Sequence, residues 1–536
     1  MSRIVFENQR PALTADPSRA DIAFFVGLVR LTATVLASGP PPVVAQWLQS
    51  QGWLTGPYAR DVSKLLDVPV PVDNYAGFMT IFDSVDATST IGTADYLAAT
   101  VRSFFAQGGK RCYVVRMGDP IPTDPSITAA EDARIKQQML QSVLVSPVHQ
   151  ASDPSTWHGV GQLSGLTDVS YLAVPDLPIL SASMPTPALL APLPAPSGPV
   201  QFTECLPQLV TVEQPIANTT QAPRLSPSDY AGWAKSVAAI LQYIASGTLR
   251  QELHLREIQF VAAFPLPRDA GDASIAALDE DVRNVFQTYL PESVEPAGAI
   301  AATNLSSAFL QLAYPWLQTT GSYPLLESLE PPDGALVGIL ARNALKRGAF
   351  TSATKIIPSE IFGVWPSLPA AETKVSATPL IWGDGSPKPL IARLSLFGFT
   401  PGGLSLLSDV TAYPGESYRT ACVNRLVSVI CRAARNLGAT IIFEQNGPAL
   451  WGRLTRALQK LLTTAWSLGA LNGATPGDAF SVRCDASTMT QNDLDNGRLV
   501  AEIMFTAAAT IELIRVTLAL ETDRMLPSST TLPEAV

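Results

Sequence analysis

Several short stretches of this 536-residue chain carry residue types that phosphate, acyl or metal chemistry needs, and each fails on spacing, on residue type or for want of its companion motifs. Gly108-Gly109-Lys110 resembles the end of a phosphate loop, whose backbone N–H groups cradle phosphates while a following Ser or Thr holds magnesium. Arg111 replaces the magnesium-binding hydroxyl. Gly159, Gly161 and Gly165 are one residue too wide for a dinucleotide turn. Ser352-Ala353-Thr354-Lys355 matches S-x-x-K but lacks the S-D-N and K-T-G companions of an acylating serine. The acidic turn at Asp493, Asp495 and Asn496, counted from Asn492, puts Leu494 at position three and Ile503 at position twelve, where calcium needs oxygen ligands. Gly403-Leu404-Ser405-Leu406-Leu407 lacks the closing glycine of a nucleophile elbow. The expectation is no catalytic, cofactor-binding or metal-binding residue, and no enzyme.

Composition narrows the class further. Hydrophobic residues make up 47% of the chain and charged ones only 15%, which suits a globular protein with much buried or interface surface. The net charge of −10, without a Lys/Arg-rich block, argues against nucleic acid as a partner. His149, His158 and His254 are the only histidines. Cys112, Cys205, Cys422, Cys431 and Cys484 form no C-x-x-C pair and read as reduced thiols. The apolar run from Ile22 to Val29 follows Arg3, Arg10 and Arg19 and meets Arg30 at once, unlike a secretory signal. The apolar stretch 501–520 carries Glu502, Glu512 and Arg515 and does not suit a membrane span. Assembly in the cytoplasm without direct membrane insertion is the expectation.

These residues need elements to position them. Residues 1–20, with Pro11 and Pro17, read as an extended arm with a reach of ~65 Å. Strand-like character runs over 21–35. Residues 93–105 have helical spacing and stop at Gly108-Gly109, before a buried strand at 112–115. That alternation predicts an α/β layer. The proline-dense, nearly uncharged stretch 175–227 predicts a surface excursion. A helix over 230–244 and a buried strand over 258–263 follow.

The C-terminal third is the clearest. Over 421–437, Val423, Leu426, Val427, Ile430, Ala434 and Leu437 share one helical face that excludes Arg425, Arg432 and Arg435, with Gly438 as the cap. Ile441-Ile442-Phe443 reads as a short buried strand. A second helix opens at Asn446-Gly447-Pro448, with an apolar face of Leu450, Trp451, Leu454, Leu458, Leu461, Leu462 and Trp466. Arg453, Arg456 and Lys460 lie opposite, a pattern that ordinary solvated surface also gives. Strands are expected at 480–484 and 499–505. Ile514, Val516, Leu518 and Leu520 alternate with Arg515, Thr517 and Ala519 in a last strand.

Four blocks resemble the contractile tail sheath family, the subunits that polymerise around a phage tail tube or injection needle. They are Thr93-Ala94-Asp95-Tyr96-Leu97 running on to Gly108-Gly109-Lys110-Arg111-Cys112; Val174-Pro175-Asp176; Tyr314-Pro315-Trp316 with Pro331-Pro332-Asp333-Gly334, Gly338 and Ala341-Arg342; and Asn446-Gly447-Pro448-Ala449-Leu450-Trp451 with Arg483-Cys484-Asp485. The last block is the most specific.

The resemblance implies an α/β (mixed α+β) fold: a sheath core domain, a subtilisin-like middle domain without its triad, and outer insertions. The expected division is an arm at 1–20, an N-terminal part at 21–92, a middle region at 93–380, a C-terminal core facing the inner tube at 381–513 and a C-terminal arm at 514–536. It implies a helical sheath that contracts to drive its tube into a target envelope. Arg453, Arg456 and Lys460 would face that tube. Ile514, Val516, Leu518 and Leu520 would pair with a neighbouring subunit, because a terminal strand offers unpaired backbone groups to another sheet edge; the same strand could instead complete its own domain. Partners would be other copies of the chain, paralogous sheath subunits, the inner tube protein, and baseplate and tail-terminator or cap proteins. The alternatives are a soluble hydrolase with a subtilisin-like domain and a non-contractile tail protein.

Overall fold

The computed structural model describes residues 19–54, 59–83, 93–122, 127–183, 221–246, 252–267, 285, 288–290, 304–368, 380–381, 387–388, 390–441, 444–492, 499–508, 514–520 and 525–528. The first long unit is an α/β layer. Its strands are β1 (Ala23–Leu28), β2 (Val70–Val72), β3 (Cys112–Gly118), β4 (Tyr171–Ala173), β5 (Gln259–Ala263) and β6 (Leu310–Tyr314). A two-stranded ribbon follows, β7 (Trp316–Thr319) with β8 (Ile361–Trp365), and then β9 (Ser395–Thr400) and β10 (Gly403–Leu406). The main sheet runs β10-β9-β6-β5-β4-β1-β3-β2. Its six inner strands are parallel, and the two edges are antiparallel.

Parallel strands covered on both faces read as unbroken apolar runs, and β1 (AFFVGL) is buried at every residue. One face carries α1 (Tyr96–Ala106) and, later in the chain, α4 (Asp333–Arg347). The other is packed by α2 (Ala129–Val143) and α3 (Pro227–Ser246). Phe24, Val26 and Leu172 point towards Trp233 and Val237 of α3, while Phe25, Val114 and Val261 belong with Val101, Phe104 and Ile339. Helix α1 ends where Gly108 takes φ 102°, a conformation costly for any residue with a Cβ. Helices α1 and α4 cross at backbone contact. A Cβ on Gly334 would lie 2.4 Å from the Thr100 carbonyl oxygen, and one on Gly338 2.5 Å from that of Phe104.

The C-terminal unit holds α5 (Ala421–Ala439), α6 (Pro448–Ser467) and a four-stranded antiparallel sheet. Its strands are β11 (Phe480–Arg483), β12 (Leu499–Phe505), β13 (Ile514–Leu520) and β14 (Met525–Ser528), in that order. Val423, Leu426, Ile430, Leu454, Leu458, Ile503 and Phe505 make its separate core. No helix among the described residues is long and apolar enough to cross a membrane.

Several expectations move. The stretch 21–35 is strand only through Leu28; Thr32 then caps a short helix, Ala33–Ser38, accepting from Val35 N. The segment 21–92 supplies β1 and β2, so it shares the sheet of the expected middle region. The division placed at residue 381 falls inside that sheet, because β9 pairs with β6, and the C-terminal unit begins at Ala421. The proline-dense stretch starts as core rather than surface: Leu177, Ile179 and Leu180 are buried. Its span 184–220 lies outside the described residues. Ile441 sits in a turn instead of a strand, and Ile442 and Phe443 lie outside the described residues. Helix α5 runs through Gly438 and is capped at Thr440.

Candidate functional site

Helix α5 works on two faces. Cys422, Val423, Leu426, Ile430 and Ala434 enter the C-terminal core. The arginines excluded from that stripe are not solvated. Arg425 sends Nη1 and Nη2 to Asp409 Oδ1 and Oδ2 at 2.9 and 2.6 Å, and its Nε to the Ala349 carbonyl at 3.1 Å. Arg432 donates to Glu257 Oε2 (3.0 Å), Ser170 Oγ (2.8 Å) and the Val169 and Arg19 carbonyls. Arg435 reaches Glu257 Oε1 at 2.7 Å. Asn424 Nδ2 donates to Gln259 Oε1 at 2.7 Å. Many of these acceptors sit at the amino ends of β1, β4 and β5, so α5 closes that end of the sheet. Burial pushes Asp409 up, but the Arg425 charge and the hydrogen bonds from Arg425, Ala353 and Gln311 outweigh it and hold the carboxyl below its ordinary range. Burial raises the thiols of Cys422 and Cys431 to about 11 and about 12. Those two, Cys112 and Cys484 are free, and Cys205 lies outside the described residues.

Helix α6 begins with Pro448 in its first turn, where the missing N–H costs nothing. Leu450, Leu454, Leu458 and Leu462 form its buried stripe; Trp451, Leu461 and Trp466 flank it half-buried. Trp451 Nε1 donates to Asn446 Oδ1 at 2.7 Å, which fixes the approach to the helix. Arg453, Arg456 and Lys460 are all exposed on the far side. Arg453 is engaged by Glu444 at 2.5 and 2.8 Å, and Arg456 Nε donates to the Gly452 carbonyl at 3.0 Å.

Strand β13 lies between β12 and β14 within its own chain. Ile514, Val516, Leu518 and Leu520 take the register positions opposite Phe505, Ile503, Ala501 and Leu499, the buried residues of β12. Strand β11 pairs with β12 on one side, and among the described strands none lies on its other side.

The hydrolase alternative can be tested on geometry. Ser164 Oγ lies 3.1 Å from His149 Nε2, but Glu252 Oε1 faces that same nitrogen at 3.4 Å. A serine relay needs the acid on the other ring nitrogen, and His149 Nδ1 is buried without a partner. His254 Nε2 donates to the Leu163 carbonyl at 2.9 Å, and burial holds its pKa below the ordinary value. An open α/β sheet binds ligands at the carboxyl ends of its strands, where the chain turns to opposite sides. Here that place lies between β1 and β4, and it is filled. Asp176 Oδ2 accepts from Leu28 N at 2.6 Å, and a Cβ on Gly27 would lie 2.1 Å from that oxygen. Among the described residues no three His, Cys, Asp or Glu gather as a metal site.

The sequence matches no family model and no curated protein. Its fold matches solved structures along the whole chain. A chain of the helical sheath of the anti-feeding prophage, in the contracted state, aligns over 95% of this chain and 96% of its own length, with TM-score 0.51 at 15% identity. The chain has a contractile-sheath fold. A chain of the six-fold symmetrised baseplate of the same prophage aligns over 100% and 98% (TM-score 0.52, 14% identity), and one from its contracted baseplate over 96% and 95% (TM-score 0.51, 18% identity). This sheath fold is α/β in class, as expected. The neighbours are sheath and baseplate components.

The reading from sequence alone missed Asp409 and Glu257, the acids that receive the α5 arginines. An arginine at three- to four-residue spacing on the polar face of a helix looks the same whether it meets water or another domain. The exclusion of three arginines from one apolar stripe was the available signal.

Proposed function

We propose that this chain is a structural subunit of a contractile sheath, polymerising helically around an inner tube and shortening to drive it into a target envelope. The observation that carries this reading is the match to a contracted helical sheath over nearly the full length of both chains. The energy comes from interfaces that pack better after contraction, a bistable rearrangement needing no nucleotide. The C-terminal unit faces the tube, with Arg453, Arg456 and Lys460 contributing exposed contacts of about 0–1 kcal/mol each. Contacts that weak allow release. The strand at 514–520 pairs with a neighbouring copy in the assembled sheath, taking in that sheet the register it holds here in its own. The N-terminal arm, residues 1–18 of which lie outside the described residues, provides a second tether. Assembly takes place in the cytoplasm, with tube, baseplate and terminator proteins and paralogous sheath subunits as partners. Co-expression with the cognate tube protein, followed by electron microscopy, tests the reading. Tubes of two lengths are expected, and subunits that stay unassembled with the tube present would overturn it.

A further inference from the structure

Where α4 starts, the fold buries carboxyl groups that have no ion-pair partner among the described residues. Asp333 is the first residue of α4. Its Oδ1 accepts from Gly334 N at 2.9 Å and lies 3.5 Å from Thr100 Oγ1, while Oδ2 is buried without a partner. Glu330, three residues earlier, accepts from Ser103 Oγ on α1 and from Thr319 Oγ1 on β7, the latter at 2.9 Å. Both carboxyls are essentially inaccessible to water. On every side the charged neighbours are otherwise engaged. On α1, Arg102 turns to Glu360 and Thr320, both at 2.8 Å, and the Asp95 capping that helix takes Arg30 at 2.5 Å. Glu327, ahead of α4, holds Arg224 at 2.9 Å. Asp176, after β4, has only the Leu28 amide on Oδ2, and its Oδ1 has no partner. Among the described residues no Lys, Arg or His forms an ion pair with Glu330, Asp333 or Asp176.

A carboxylate here would be desolvated, and the hydrogen bonds from Ser103, Thr319, Thr100 and the Gly334 amide, with the Arg102 charge, offset only part of that cost. The crossing gives it little chance to recruit solvent, because Gly334 and Gly338 bring α4 against the backbone of α1. The cheapest remedy is a proton. Glu330, as an acid, has one O–H for Ser103 Oγ, while Thr319 keeps donating to the other oxygen.

We propose that the α1–α4 crossing is a proton-held joint: Glu330 and Asp333 are neutral acids while the helices are closed, and losing their protons drives the helices apart. Burial, the largest influence on both, pushes each to about 7, so the transition falls near neutral pH. Arg102, whose charge already reaches Glu330 and whose Nη1 is buried without a partner, is the cation that turns inward when the joint opens.

The sign follows from linkage. Each group has a folded pKa above its unfolded value, so the stabilisation present in acid is lost as pH rises through about 7. For each group the unfolding equilibrium constant should rise roughly tenfold or more between pH 5 and pH 8. Hydrogen exchange of the full chain, corrected for the intrinsic rate, tests this without an assembled particle. Amides of 96–106 and 333–347 should lose protection across pH 6–8, while those of 448–467 hold theirs. Glu330→Gln and Asp333→Asn should each flatten part of the profile, and the double variant nearly all of it. Should the double variant fold poorly, the wild-type profile and Asp333→Asn alone decide. Constant protection across this range in the wild type, or a slope that survives Asp333→Asn undiminished, or one that Asp176→Asn alone removes, overturns the proposal.

Discussion

Arg425 and Asp409 meet in a doubly hydrogen-bonded pair, 2.9 and 2.6 Å long, with side chains 5% and 0% exposed. The pair lies where α5 passes from the C-terminal core to the main sheet. Removing one partner strands a buried charge, so Arg425→Ala and Asp409→Ala should each cost about 3–5 kcal/mol. Replacing both with apolar residues, Arg425→Met with Asp409→Leu, should cost far less than the two single losses together. A double-mutant cycle by denaturant unfolding measures this. Single variants within about 0.5 kcal/mol of the wild type would show that the seam is not held by this pair.

The two tight glycines of α4 and the open one of α6 predict opposite signs. Gly334→Ala forces a Cβ to 2.4 Å from the Thr100 carbonyl oxygen and should cost about 1–3 kcal/mol. Gly452 has nothing within 4 Å of its would-be Cβ and sits inside an exposed helix turn. Gly452→Ala should therefore stabilise by about 0.5–1 kcal/mol. Thermal melts of both variants check the pair. Equal shifts of the same sign would mean that the α1–α4 crossing tolerates expansion.

Legibility in the sequence divides along a physical line. Elements set by local periodicity stood out: the α1 stop at Gly108, the leucine stripe of α6, and the strands at 499–505 and 514–520 were all readable. What depended on long-range pairing was hidden. Nothing local shows that β9, some 370 residues after β1, joins the same sheet, so the boundary at 381 was misplaced. Asp176, Asp333 and Gly334 were visible as motif residues, yet their work is done across the fold, on Leu28, Thr100 and Ser103's helix. Ile441 misled because an apolar residue after a helix suits a turn as well as a strand.

The exposed face of α6 separates fold from assembly. Arg453→Glu, Arg456→Glu and Lys460→Glu together should leave the melting temperature nearly unchanged, since the Arg453–Glu444 pair is exposed and worth about 0–1 kcal/mol. Binding to the cognate tube should weaken, and more so at low salt, where charge reversal is least screened. Sedimentation of the triple variant with preformed tubes gives the readout. Wild-type co-sedimentation would remove this face from the tube contact.

The strand at 514–520 makes the sharpest statement about assembly, because a cross-link at one register pair falls within a chain in cis pairing and between chains in trans. Ala501 stands opposite Leu518 across the β12–β13 pair, and directly opposed residues of antiparallel strands have Cβ atoms about 4.5–5.5 Å apart. That separation is slightly wider than a disulfide prefers, within what small backbone shifts close. Ala501→Cys with Leu518→Cys, oxidised in the free subunit, should give an intramolecular bond and a monomer band without reductant. If the strand passes to a neighbour in the sheath, the same oxidation of assembled tubes should link chain to chain and give a ladder. Arg515 to Val536 can also be deleted. The shortened chain should stay soluble yet fail to extend into long tubes, because each subunit then lacks the strand it would lend. A monomer band from oxidised tubes, together with normal tubes from the deletion, would leave β13 a strand that only completes its own sheet.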